Sequence, residues 1–405
     1  MNVSDQGASE ILSDLMVLDL TRVLAGPQCT RLLADLGARV LKIERPGEGD
    51  EMRRSPAPLP GVGDQSTYFS RRNAGKQSVA VDLSKPAGLA VLLDLARHAD
   101  VMVENFMPGV ATKLGCDYAA VAAIKPDIVY CSISGYGQTG PMAKRGAFAH
   151  VVAAASGIMH LDAGDTAPRT THLQAADVLA GTNGFGAILA ALWRRERTGQ
   201  GAHVDVSMLE SLIASEDISY GTVPNGVGAV TGPRPGMGLS PVAGRWVAWQ
   251  SGGAPSLWPR LCAAMQRLDL EHDPRFSTAP SRRDNWPEIE LVVGSWLATF
   301  ADADAALQAL QLARVPSALV ATAEEVVHSE QLAFRGAFHP MAHPGGGEVT
   351  VTASPYWIDG QPVLPKGPAP YRIGEHTREV LHELLGYDAG QVQQLLDNEA
   401  VSSPR

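Results

Sequence analysis

Between residues 16 and 134 the chain keeps switching its hydrophobic period. Short apolar runs at Met16–Leu20 (MVLDL), Arg39–Glu44 (RVLKIE), Ser78–Leu83 (SVAVDL), Val101–Asn105 (VMVEN) and Asp127–Ser134 (DIVYCSIS) read as strands. The segments between them read as helices. One covers Cys29–Leu36 and stops at Gly37, one opens at Ser84-Lys85-Pro86 and runs to about Arg97, and a short one lies near Tyr118–Ile124. Ser84 is the predicted cap, and Pro86 sits where its missing N–H costs little. Such alternation predicts an α/β fold with a parallel, doubly wound, Rossmann-like sheet. Ligands of these folds sit at the carboxyl ends of the strands. Here those ends are Thr21–Gln28, Arg45–Asp50, Asn105–Gly109 and Gly135–Pro141.

The motifs that would place a dinucleotide or an NTP there are missing. After the first strand the text is TRVLAGPQCTRLL, with no G-x-G-x-x-G, and Gly75-Lys76 is only a fragment of a P-loop. Another phosphate-bearing ligand stays open. Lys and Arg number 33 against 43 Asp and Glu, a formal charge of −10, which argues against a nucleic-acid footprint. Cys29, Cys116, Cys131 and Cys262 are widely spaced, as core thiols of a reducing compartment would be. The polar opening MNVSDQGASEILSD does not read as a signal peptide. Apolar runs such as Phe185–Trp193 are about half the ~18 residues of a membrane span. The expectation is a cytoplasmic globular protein with no membrane or nucleic-acid partner.

Residues 178–197 carry the longest helical pattern. Gly181, Gly184, Ala187 and Ala191 recur every three or four positions and make one face of very small residues. Each glycine costs a helix about 1 kcal/mol, so this face predicts the close approach of another backbone. Residues 1–223 read as the first part of a large domain. Pro224–Gly244, with six Gly and four Pro, reads as a linker. A smaller α/β domain follows at 245–335, with helices near 257–266, 286–299 and 303–312 and a strand at Ser317–Ala321. Residues 336–405 return to complete the large domain, through a loop-rich Pro340–Gly347, a strand at Glu348–Ser354 and helices near 375–385 and 389–397.

Asp177 lies in LQAADVLAGTNGFG, where the glycine-rich helix begins. Free N–H groups and the helix dipole favour a carboxylate at such a place. The residue reads either as an N-cap or as a nucleophile whose small neighbours leave room for an acyl group. Arg53, Arg54, Arg71, Arg72 and Lys76 fall near the ligand edge, as a solvated basic face or as phosphate holders. His339 and His343 are four apart, but HPMAHPGGG has two prolines and no Glu, so no metal site is expected. Gly252-Gly253 reads as a turn, with a mobile cover as the alternative.

Longer motifs go further. LAGPQCTRLLADLGARVLKIERPGEGD, NAGKQSVAVDL, ADVMVENFMPGVATKLG, SISGYGQTGP, ADVLAGTNGFGAILAALWRRERTGQGAHVDVSM and GEHTREVLHELLGY together resemble the class III (CaiB/BaiF) coenzyme A transferases. That family includes formyl-CoA transferase-like enzymes and is related to the α-methylacyl-CoA racemases. The likeness runs from about Leu18 to Asp388. It implies that Asp177 is the aspartate that becomes acylated. It also implies coenzyme A contacts at Val23, Leu24, Arg45, Asn73, Lys76, Asn105, Phe106 and Lys113. Arg145, His150, His172 or Gln174 would serve the acid, with Arg145 counted among the cofactor-binding residues and His150 among the catalytic ones. The implied substrates are acyl-CoA and a small carboxylic acid, dicarboxylates included, with no permanently bound cofactor. The implied assembly is an interlaced homodimer, each active site at the junction of large and small domains and lined by both chains.

The related racemases pair an aspartate matching Asp177 with a histidine, to move an α-proton. The place of that histidine falls here on Phe148, and the following aspartate's on Ala149, with His150 next in line. Transferase chemistry is the favoured reading. Racemase-type acid–base chemistry and a non-catalytic CoA-binding protein are the alternatives.

Overall fold

A computed structural model describes residues 10–54, 57 and 65–404, so most of the polar opening segment lies outside the described residues. Its main sheet has seven strands. In spatial order they are Val401–Ser402, β3 (Gln77–Val81), β2 (Arg39–Glu44), β1 (Met16–Asp19), β4 (Val101–Glu104), β5 (Val129–Ser134) and β6 (Ala202–Ser207). All neighbours pair in parallel except Val401–Ser402, which runs antiparallel to β3. The order 3-2-1-4-5-6 is the doubly wound one, and its topological switch point lies between β1 and β4.

Strands covered on both faces must be apolar on both, and β1 and β5 are buried at every position. Period two then sorts the residues. Val17, Val40, Val103 and Ile133 pack with α1 (Ala25–Asp35) and the long helix Ala175–Thr198 on one face. Leu18, Leu41, Met102 and Tyr130 pack with α3 (Pro86–His98) and the helix Thr377–Leu385 on the other; α2 (Thr67–Asn73) lies in sequence between β2 and β3. Lys85 rather than Ser84 stands at the start of α3, because the Ser84 hydroxyl turns back to Asp82 Oδ1 at 2.6 Å.

The glycine face of the long helix meets what its composition predicts. A Cβ on Gly181 would lie 2.4 Å from the Ala25 carbonyl oxygen, and one on Gly184 would lie 3.1 Å from Ile133. By length and composition alone this 24-residue helix is apolar enough to cross a membrane, which the run Phe185–Trp193 did not suggest. Its Gly181, Gly184, Ile188 and Ala191 are instead buried against α1 and the sheet.

The chain separates into two compact units. One comprises Met1–Met159, Thr170–Gly221 and Glu330–Arg405; the other comprises His160–Arg169 and Thr222–Ser329. His160–Arg169, read as part of the large domain, thus joins the second unit, where Gly232 N–H donates to Leu161 O at 2.7 Å. In that unit β7 (Met237–Val242), β8 (Arg245–Gln250) and β9 (Ser317–Leu319) form an antiparallel sheet. Trp249, Trp258 and Trp286 fill the core beneath its helices.

β7 corrects the reading of Pro224–Gly244 as a linker throughout. Gly238, Ser240 and Val242 alternate inward, and Gly238 is required because a Cβ there would sit 2.1 Å from the Trp249 ring. The glycine that signalled a loop is a packing residue. Likewise Phe338–Ala342, which overlaps the loop-rich Pro340–Gly347, is a strand paired with Glu348–Thr352.

Candidate active site

Beneath the switch point lies a layer of buried charge. Lys76 Nζ donates to Asp19 Oδ2 (2.9 Å), Thr30 Oγ1 (2.8 Å) and Asn73 Oδ1 (2.9 Å). Lys42 Nζ lies 3.0 Å from Asp50 Oδ2 and donates to Thr21 O at 2.9 Å. Burial by itself would raise the Asp19 carboxyl. The charges of Lys76 and Lys42 and the Thr21 hydroxyl outweigh that and hold it well below the usual carboxylate range. Asp50 Oδ1 accepts the N–H groups of Met52 (3.0 Å) and Val23 (3.4 Å). Val23 needs such support, because its φ is +69°, a left-handed value that a β-branched residue rarely adopts. The layer therefore fixes the loop between β1 and α1.

Two residues that the resemblance gives as coenzyme A contacts lie in and beside this layer. Lys76 and Asn73 are not among the lining residues of the two clefts at the strand ends. Both are buried, and the Lys76 ammonium is spent on Asp19, Thr30 and Asn73. Arg53 is also internal, with Nη2 at 2.6 Å from Glu44 Oε2. A lysine in NAGK is equally compatible with a phosphate and with a buried aspartate 57 residues away, and only the fold separates the two.

Asp177 is the third residue of the long helix, inside its first turn rather than at its cap, which is Gln174. The backbone N–H groups of Ala25 and Ala149, with its own, act on its carboxylate and favour the charged form. Ala25 and Ala149 are the first residues of α1 and of the short helix Ala149–Ala155. Three helix N-termini thus converge on one carboxylate, each offering unspent N–H groups and the positive end of a dipole. Burial pushes the other way and prevails, so the carboxyl rises to about 6, with the N–H groups and Arg72 opposing. The result is a carboxylate ionised at neutral pH yet more basic, and hence more nucleophilic, than an exposed one.

Asp177 opens into a cleft of about 280 Å³ at the switch point. Val23 after β1, Asn105 and Phe106 after β4, and Gly135 after β5 line it, with Arg145 and Phe148. Asn105 clamps the Arg22 peptide from both sides, accepting its N–H at 2.9 Å and donating to its carbonyl at 2.8 Å. A second cleft, also about 280 Å³, shares Arg22 and Phe106 with the first. It runs past Arg45 and Val81–Ser84 to Val110 and Leu114.

The structure therefore brings Val23, Asn105, Phe106, Arg145 and Asp177 to one cleft and Arg45 to the adjoining one. Leu24 is buried at the start of α1. Lys113 is exposed and lines neither cleft, although Val110 and Leu114 on the same helix do. His150 is exposed on the helix Ala149–Ala155, and no histidine is among the residues lining the Asp177 cleft. Phe148 occupies the racemase histidine's place and does line it, with no proton to transfer.

The family model for CoA-transferase family III matches residues 12–377. The chain belongs to that family. A mouse succinyl-CoA:glutarate CoA-transferase is 32% identical over 97% of this chain and 91% of its own length. A succinyl-CoA:mesaconate CoA-transferase from Haloarcula hispanica is 34% identical over 92% of this chain and 96% of its own. Among solved structures, a CaiB/BaiF family protein from Brucella suis superposes with a TM-score of 0.78 at 28% identity, covering 92% of this chain and 99% of that one.

Some lining residues of this family III CoA-transferase escaped the sequence reading. The turn Asp82–Ser84 lines the second cleft. It follows a strand that had been recognised, so the strand-end rule could have found it. Tyr68 and Arg72 on α2 act electrostatically on Asp177 and on each other. Met208 joins the Asp177 cleft as the first residue of the helix Met208–Ile213, directly after β6. No local pattern marked Tyr68 or Met208 for a role, and Arg72 was read only as one of the basic residues near the ligand edge.

Proposed function

We propose that this enzyme moves coenzyme A from an acyl-CoA donor to a dicarboxylic acid through covalent intermediates on Asp177. The observation that carries the reading is the half-buried Asp177 carboxylate, raised to about 6, opening into the cleft at the switch point. An Asp177 oxygen attacks the thioester carbonyl carbon, the C–S bond breaks, and CoA leaves as a thiolate. The product on the protein is a mixed anhydride. The thiolate then attacks the Asp177 carbonyl carbon, releasing the donor acid and leaving an aspartyl-CoA thioester. An acceptor carboxylate reverses these two steps and departs as its own CoA thioester, with Asp177 restored. A carboxylate suits this exchange because its anhydride and thioester lie close in energy to the substrates.

The two clefts share an edge at Arg22 and Phe106, which supports a long ligand lying across both. In this reading the thioester end of CoA lies at Asp177 and the phosphate-bearing end passes Arg45. A dicarboxylate as acceptor is supported by the names of the mouse and Haloarcula relatives.

Trapping tests the covalent step. Enzyme incubated with succinyl-CoA and hydroxylamine is expected to carry a hydroxamate on Asp177, located by peptide mass spectrometry. Robust CoA transfer by the Asp177→Ala variant would refute the role.

A further inference from the structure

We propose that the second unit carries a binding pocket of its own for a small dicarboxylate, built from Arg282, Arg283 and the Gly252–Ala254 turn. The choice of a dicarboxylate rests on the function proposed above; the case for an anion does not. A cavity of about 510 Å³ opens in this unit. Its lining includes both arginines, Gly236, Ser251, Gly252 and Gly253, and no carboxylate at all, in a chain whose formal charge is −10.

The two arginines differ from their neighbours. Arg267 pairs with Asp269, and Arg275 pairs with both Asp273 and Glu288. Neither Arg282 nor Arg283 has an acidic partner among the described residues. Arg282 is half-buried and spends one N–H on the Phe276 carbonyl at 2.7 Å, leaving the rest of its fork free. Burial lowers the pKa of its guanidinium, and no carboxylate offsets that. A partly desolvated cation without a counter-ion is costly, and an anion in the cavity relieves the cost.

The Gly252–Ala254 turn, part of the same lining, offers donors as well. Gly236 O accepts the N–H groups of Ser251 (2.9 Å) and Gly252 (3.2 Å), which ties two backbones together. Glycine suits this approach, because a Cβ on Gly252 would lie 3.2 Å from Gly236 Cα, closer than an ordinary van der Waals contact. The chain then turns through Gly253 at φ +91°. The N–H groups of Gly253 and Ala254 have no acceptor among the described residues. Backbone amides and guanidinium forks in one lining are a donor set that recognises oxyanions. Two adjacent guanidiniums match two carboxylates better than one.

Titration calorimetry on the full chain carrying Asp177→Ala, with no acyl-CoA present, reads this binding without turnover. The probes are glutarate, succinate, butyrate and inorganic phosphate. The Arg283 side chain is exposed and makes no hydrogen bond among the described residues, so Arg283→Gln leaves the fold intact; Arg282→Lys, which keeps the charge, is the second variant. Glutarate or succinate is expected to bind saturably, and Arg283→Gln to weaken it at least about tenfold, the loss of one charge-assisted contact. Arg282→Lys should weaken it less. Unchanged affinity in Arg283→Gln would overturn the proposal, as would butyrate or phosphate binding as tightly as glutarate. A CoA-transfer assay on the unsubstituted enzyme separates the two readings. Transfer to glutarate without Arg283-dependent binding sinks only the pocket, and Arg283-dependent binding without transfer to any dicarboxylate sinks only the proposed function.

Discussion

Replacing Lys76 by methionine removes one buried charge and strands another. The volume changes little, so the cost falls on Asp19, whose side chain is fully enclosed and loses a 2.9 Å ion pair. Breaking a buried pair by deleting one partner costs about 3–5 kcal/mol. Lys42 still neutralises part of the stranded charge, which puts the expectation near the lower end, about 3 kcal/mol. For a urea m-value of about 3 kcal/mol/M the unfolding midpoint should fall by about 1 M.

The pH dependence follows from the direction of the Asp19 shift. Its carboxyl is held below the ordinary 3.8, so its contribution is fully present above that pH and fades as pH falls towards the folded value. The gap between the unsubstituted protein and Lys76→Met should therefore narrow below about pH 4. Urea titrations followed by circular dichroism at pH 7 and pH 3.5 measure both effects, and acyl-CoA binding by calorimetry at low urea measures the third. An unchanged midpoint together with acyl-CoA affinity weakened tenfold or more would refute the buried-layer account and return Lys76 to the phosphates.

Asp177→Asn should lose more than about 99% of CoA transfer yet stabilise the fold at pH 7 by about 1–2 kcal/mol, because burial disfavours the charge it removes; a lower melting temperature would contradict this. For the unsubstituted enzyme, turnover should fall as pH drops through about 6, where the Asp177 carboxylate takes up a proton, and a rate flat from pH 7 to 5 would exclude that group as the nucleophile. Gly181→Ala should destabilise by about 1–3 kcal/mol, despite alanine's better helix propensity, because its Cβ would lie 2.4 Å from Ala25 O; a stabilised variant in thermal denaturation would show that α1 yields. Arg45→Ala should raise the KM for acyl-CoA about tenfold with kcat nearly unchanged in steady-state assays, and an unchanged KM would place the phosphates elsewhere. Sedimentation at sub-micromolar protein should show a single species of about twice 42.8 kDa, the interlaced homodimer that the resemblance implies, and a folded, active monomer would refute it.

The sequence alone determined the large sheet and the place of its ligand edge. β1, β2, β4 and β5 are short apolar runs set between helical patterns, and that local alternation leaves few topologies open. Gly181 and Gly184 announced a backbone neighbour because a glycine in a helix has a cost that only packing offsets. Asp177 could be singled out because the start of a helix is also written locally. Tertiary structure decided what depends on partners distant in the chain. Lys76 meets Asp19 across 57 residues and Arg53 meets Glu44 in the interior, so basic residues that look like phosphate holders in the text are internal counter-ions. Gly238 reads as a loop residue until the Trp249 ring lies against it. Asp177 owes its raised pKa to burial opposed by the N–H groups of Ala25 and Ala149, both far before it in sequence, and a chain read in one dimension does not show which N–H groups, charges and rings will share a space.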